Sequence, residues 1–86
     1  MRLRSVEVGE LYRFRTPIQR FLTKDSTELM DPWEQGTVVM VMEVTDAGPS
    51  GLHQNIRCVE TGTDGRVGWI FVSTRRIHDW IERVEC

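Results

Sequence analysis

Apolar and polar residues alternate most regularly between Asn55 and Ser73. Ile56, Arg57, Cys58, Val59 and Glu60 show the period of a strand with one buried face. Arg66 to Val72, rich in β-branched and aromatic residues, form a second run. Thr61-Gly62-Thr63-Asp64-Gly65 separates the two. Asp-Gly is a hairpin signal, because the turn needs positive φ and Gly reaches it without Cβ strain. The pattern predicts a β-hairpin, with Gly62 widening the loop or adding a bulge. Gly68, inside the second strand, predicts a sharp bend or a close backbone approach. Ser73 is expected to end the strand and cap the next element.

The rest of the chain reads around this hairpin. Leu3, Val6 and Val8 point to a short strand within Met1 to Gly9. Leu11 to Arg15 sets Tyr12 and Phe14 on one side and Arg13 and Arg15 on the other, until Pro17 ends the strand. Residues 16–35 form a long irregular segment. A structureless loop of that length is uncommon in a small domain. We therefore expect an irregular hairpin, Phe21 to Lys24 pairing near Glu28 to Met30 across Asp25-Ser26-Thr27, with a turn at Asp31-Pro32. Thr37 to Val44 is apolar at both parities for six positions, as in a strand covered on both faces. Thr45 to Gln54 is a turn-rich loop. After Ser73 the period changes: Ile77, Trp80, Ile81 and Val84 fall at i, i+3, i+4 and i+7, a helical stripe. This predicts a C-terminal helix over about 74–84, with Asp79 and Arg83 as an i, i+4 ion pair.

Composition narrows the classes. At 86 residues, the chain is expected to be one domain. A net charge of −2 provides no overall attraction for nucleic acid. No apolar run approaches the roughly 20 residues of a membrane span. The N-terminus has no apolar leader core, and two cysteines make no disulfide framework, so we expect a cytoplasmic protein. Charge is segregated, however. Arg2, Arg4, Arg13, Arg15, Arg20 and Lys24 precede residue 25, whereas Asp25 to Asn55 holds six acids and no Lys or Arg.

The order of short motifs resembles that of Src-homology-3 (SH3) domains over roughly residues 10–74. Leu11-Tyr12-Arg13-Phe14 is similar to their ALYDF-type opening strand, and the adjoining segment to their long RT loop. Glu28-Leu29 and Trp33-Glu34-Gln35-Gly36-Thr37-Val38 resemble the approach to the next strand, and Gly65-Arg66-Val67-Gly68-Trp69-Ile70 the G-x-x-G-W-I strand after the distal hairpin. The resemblance implies a mainly β fold: a small, five-stranded, bent barrel over about 10–72 with the short C-terminal helix added. It also implies binding without catalysis. Of the groove residues of proline-peptide-binding members, Tyr12 remains, with Phe14 and Trp33 as further candidates, and the others are absent. His53-Gln54-Asn55-Ile56 opens the third strand without Trp, Phe71 stands where Pro is expected, and no Tyr comes after it.

These readings give the candidate chemistry. Trp33, on the long segment beside Pro32, with Tyr12, Phe14, Asp31 and Glu34, is the expected contact surface for a protein partner. Arg13, Arg15 and Arg20, beside Tyr12 and Phe21, form the alternative, a nucleic-acid-facing patch. A third reading is a structural subunit of a larger bacterial or phage assembly, self-associating through the helix or an open barrel edge. His53, Cys58, His78 and Cys86 match no zinc spacing, so no metal or cofactor is expected. There is no nucleophile elbow, phosphate loop or H-E-x-x-H motif, and no catalytic activity is expected.

Overall fold

The computed structural model describes residues 6–23, 28–46, 52–62 and 65–84. Among these, the chain forms seven strands and one short helix: β1 (Leu11–Phe14), β2 (Ile18–Phe21), β3 (Leu29–Trp33), β4 (Val38–Asp46), β5 (His53–Glu60), β6 (Val67–Ser73), α1 (Ile77–Trp80) and β7 (Ile81–Arg83). They make one antiparallel sheet in the order β3-β2-β6-β5-β4-β1-β7, curled into a half-barrel. The radius of gyration, 11.9 Å, equals the roughly 12 Å of a compact chain of this length, and β3 and β7 remain the two edges of the open, curled sheet.

The mainly β reading holds, with seven strands where five were expected. The central hairpin is β5 and β6, in continuous register from His53↔Ser73 to Val59↔Val67. Gln54, Ile56 and Cys58 face inward with Ile70 and Val72, as the alternation predicts. Gly65 takes φ +58, whereas Asp64 lies outside the described residues. The long segment folds back as a hairpin, with Phe21↔Leu29 and Arg20↔Met30. Its predicted pairing at Lys24 falls outside the described residues.

Four local expectations are corrected. Asp31-Pro32 is not a turn. It lies within β3, where the register slips by one residue between Ile18↔Trp33 and Arg20↔Met30. Pro32 is tolerated because β3 is an edge strand with no ladder partner on its far side. β4 is not covered on both faces: Val39 and Val41 are buried, while Met42 is exposed beside a bulge. The described part of the first nine residues is a turn, anchored by Gly9 N–H on the Val41 carbonyl at 2.8 Å, with Val6 tucked into the core.

The fourth correction is the C-terminal helix, which lasts only from Ile77 to Trp80. Ile81 then turns extended, at φ −136° and ψ 154°, and β7 pairs with β1 through Phe14↔Ile81 and Tyr12↔Arg83. A helix this short is marginal on its own, and no side chain caps its start. Ser73 Oγ accepts instead from the Arg75 N–H in the turn before it. Continuing as a strand satisfies the free edge of β1. The apolar stripe still marks the buried positions, since Ile77 and Ile81 are 1% and 4% exposed. The expected Asp79–Arg83 pair is absent: Asp79 lies 3.7 Å from Arg76, and Arg83 reaches Glu10 at 2.8 Å.

Candidate interaction groove

β1 sends Tyr12 and Phe14 inward and Arg13 and Arg15 outward, as alternation requires. Burial overturns the aromatic part of the expected contact surface. Tyr12, Phe14 and Trp33 are 4%, 1% and 0% exposed, so none offers area to a partner. The Tyr12 phenol oxygen accepts the Glu7 N–H at 3.0 Å. The Phe14 and Trp33 rings pack with centroids 5.5 Å apart. Asp31 and Glu34, which flank Trp33 in sequence, are exposed. The bulge in β3 accounts for this, because it turns Trp33 under the sheet while its polar neighbours stay in water.

The three arginines do not share one free face. Arg13 pairs with Glu82 at 2.9 Å. Arg15 remains exposed, with Nη1 donating to the His78 carbonyl at 3.2 Å. Arg20 is buried. Its Nε donates to the Asp31 carbonyl at 2.9 Å and its Nη1 to the Val67 carbonyl at 3.1 Å, and the guanidinium lies over the Trp33 ring, 5.5 Å from the centroid. Arg20 thus ties β2 to β3 and β6 at once. Room for it comes from Gly68, the close approach expected there: a Cβ on Gly68 would stand 2.6 Å from Arg20 Cδ and closer still to Cγ.

With the hairpin latched this way, an open, mostly apolar groove of about 390 Å3 lies between β2 and the β6–α1 segment. Thr16, Pro17, Ile18, Gln19 and Phe21 line one side, and Phe71 and Trp80 the other. Its size falls within the roughly 300–1,000 Å3 of ligand clefts. Phe71 is 49% exposed, a large apolar side chain left in water, and His53 stacks on it at 4.9 Å with the rings 9° from parallel. The long segment therefore does border a concave surface, through β2 and not through Trp33.

Phe71 and Trp80 are the groove residues that sequence reasoning missed. Phe71 was within reach: in β6, Ile70 and Val72 share one parity and Trp69 and Phe71 the other, so burying the first pair turns the second outward. Trp80 belongs to the predicted helical stripe. It packs partly against the core and lines the groove as well.

Among the described residues, Glu60, Cys58 and Arg83 are perturbed, all away from the groove lining, Arg83 being raised chiefly by its hydrogen bond to Glu10. The hydrogen bond from Arg66 Nε to Glu60 Oε1, 2.9 Å long, is the main cause holding the Glu60 carboxyl below its ordinary range. Desolvation works against it. The Trp33 indole N–H forms no complete hydrogen bond, yet adds a smaller lowering. Stability from this pair is present above the ordinary carboxylate range and is lost as pH falls through the folded value.

Burial pushes the Cys58 thiol up to about 12, so it stays protonated and unreactive in the folded protein. We expect that, in a Cys86→Ser background, a thiol reagent at mildly alkaline pH labels Cys58 only as fast as the chain unfolds. Labelling at the rate of a free thiol would contradict the buried placement. By linkage, the contribution of the neutral thiol to stability is intact below its ordinary value of 9.0 and is lost as pH rises from there through about 12.

Among the described residues, no cluster of His, Cys, Asp and Glu is placed to hold a metal ion, and no helix is long and apolar enough to cross a membrane. No protein-family model, curated protein sequence or solved structure matches the chain. The site therefore rests on its own geometry.

Proposed function

We propose that the chain is a non-catalytic protein-interaction module of SH3-like architecture that binds a partner protein in the groove between β2 and the β6–α1 segment. The observation that carries this reading is the groove itself: apolar, open, built on the long segment, with the half-exposed Phe71 at its side. Exposed aromatic anchors in concave sites are where interface energy concentrates. The strand order supports the architecture. Setting aside the β2–β3 hairpin leaves β6-β5-β4-β1-β7 as five adjacent antiparallel strands, with the hairpin inserted after the first in sequence. The long-segment hairpin thus falls where the resemblance places its long loop, although β7, at Ile81–Arg83, lies beyond the 10–72 span expected for the barrel. The nucleic-acid alternative loses its basis as a patch, because Arg20 is buried and Arg13 is paired.

Peptides selected from a display library on the intact chain test the reading. Phe71→Ser is expected to weaken the selected peptides about thirty-fold, the loss of one hot-spot anchor of roughly 2 kcal/mol. Phe71 is half-exposed and stacked by His53, so the substitution is expected to cost about 1 kcal/mol of stability and to leave the chain folded. Binders that hold Phe71→Ser as tightly as the natural chain would place the contact surface elsewhere.

A further inference from the structure

The groove carries a charge signature that points to the chemistry of its occupant. Among the described residues, three exposed arginines meet carboxylates: Arg13 with Glu82, Arg83 with Glu10, and Arg76 with Asp79. Arg15 does not. Its backbone N–H donates to the Trp80 carbonyl at 2.6 Å and its guanidinium to the His78 carbonyl at 3.2 Å. Both contacts pin it against α1, where Thr16 and Trp80 meet at the groove. Both acceptors are neutral, so among the described residues no carboxylate compensates its charge. Arg75, in the turn from β6 into α1, is also exposed and pairs with no carboxylate among the described residues. Asp79, next to Trp80, is opposed by Arg76. The exposed acids Asp31 and Glu34 lie on or beside β3, and β2 stands between that strand and the groove. The groove is therefore mostly apolar, and Arg15, next in sequence to the lining residue Thr16 and bonded to α1, sets a positive charge beside its α1 end, in a chain whose net charge is −2.

We propose that the groove takes an extended polypeptide segment of a partner protein in which an apolar or aromatic side chain is flanked by carboxylates, with a carboxylate received by Arg15. The inference rests on the groove being the contact surface. An arginine already held by one N–H keeps the rest of its planar fork for a carboxylate, and less side-chain freedom is lost on pairing. The apolar floor lowers the local dielectric and strengthens that attraction relative to open water. A polypeptide fits because the groove is open, so that a chain can lie across Phe71 and Trp80 and continue past them.

Three synthetic peptides with a shared Leu-Phe core, flanked by Glu, by Gln or by Lys, form the test. Each is titrated into the isotope-labelled intact chain at low and at near-physiological salt. The Glu-flanked peptide is expected to shift the Thr16, Gln19 and Phe71 amides and the Trp80 indole. It is also expected to bind about five- to tenfold tighter than the Gln-flanked one, a margin that shrinks with salt, with the Lys-flanked peptide weakest. Arg15→Gln is expected to erase the margin and leave the Gln-flanked affinity unchanged, and Arg15→Lys to restore part of it. Equal binding of the Glu- and Lys-flanked peptides, or a margin that survives Arg15→Gln, overturns the charge inference and leaves the groove standing. No shift at the groove with any of the three overturns both.

Discussion

Trp33→Ala is expected to destabilise the protein by about 3–5 kcal/mol, the cost of deleting a large aromatic side chain from a closed core. Trp33 is 0% exposed and packs on Phe14 and under the Arg20 guanidinium. Its removal takes away both contacts and leaves a cavity that the short β2–β3 hairpin cannot fill by collapse. A small domain is stable by only about 5–15 kcal/mol, so the variant is expected to unfold at much lower urea than the natural chain. Urea titration followed by tryptophan fluorescence and circular dichroism measures the difference. A loss below about 1 kcal/mol would mean that Trp33 sits at the surface, as its place beside Asp31-Pro32 first indicates.

Gly68→Ala carries the second large effect. In most strands this change is mildly favourable, since Gly weakens a strand by roughly 0.5–1 kcal/mol relative to Ala. Here the new Cβ would stand 2.6 Å from Arg20 Cδ and 3.4 Å from the Phe21 carbonyl oxygen. The side chain of Arg20 must then leave, and with it go its bonds to the Asp31 and Val67 carbonyls. We expect a net loss of about 2–3 kcal/mol, in the range of core overpacking. The two positions are expected to be coupled: in an Arg20→Ala background, Gly68→Ala costs less than about 1 kcal/mol, because the atoms it displaces are gone. Equal costs in both backgrounds would show that Arg20 does not occupy the space above Gly68.

Much of the fold is legible where local pattern and tertiary demand agree. The β5–β6 alternation, the inward Tyr12 and Phe14, and the missing side chain at Gly68 all read directly onto the structure. Each reports a choice made within one strand or one close contact. The C-terminal segment was not legible, because Ile77 and Ile81 are buried whether the chain runs on as a helix or turns into a strand. The deciding factor, the unpaired edge of β1, lies more than sixty residues upstream. Arg20 misleads for a related reason. Nothing local distinguishes an arginine in water from one satisfied by carbonyls on two other strands. Trp33 looked exposed because Asp31-Pro32 suits a turn as well as a bulged edge strand.

The groove was half legible. The long segment, the part of the chain expected to carry a contact surface, borders the groove through Pro17, Ile18 and Phe21. Its opposite side, Phe71 and Trp80, is brought there by the pairing of β2 with β6 at Phe21↔Trp69 and by the one-turn helix. Those contacts join residues some fifty positions apart in sequence, a distance over which periodicity carries no information.

Whether the groove is the contact surface is decided by resonance mapping of one display-selected peptide onto the intact chain. The largest shifts are expected at residues 16–21, Phe71 and Trp80, with Tyr12, Phe14 and Trp33 reporting only small secondary changes. Shifts concentrated instead on the outer positions of β4 and β5, such as Met40, Glu43 and Arg57, or at the β3 edge on Asp31 and the adjoining Glu34, would contradict it.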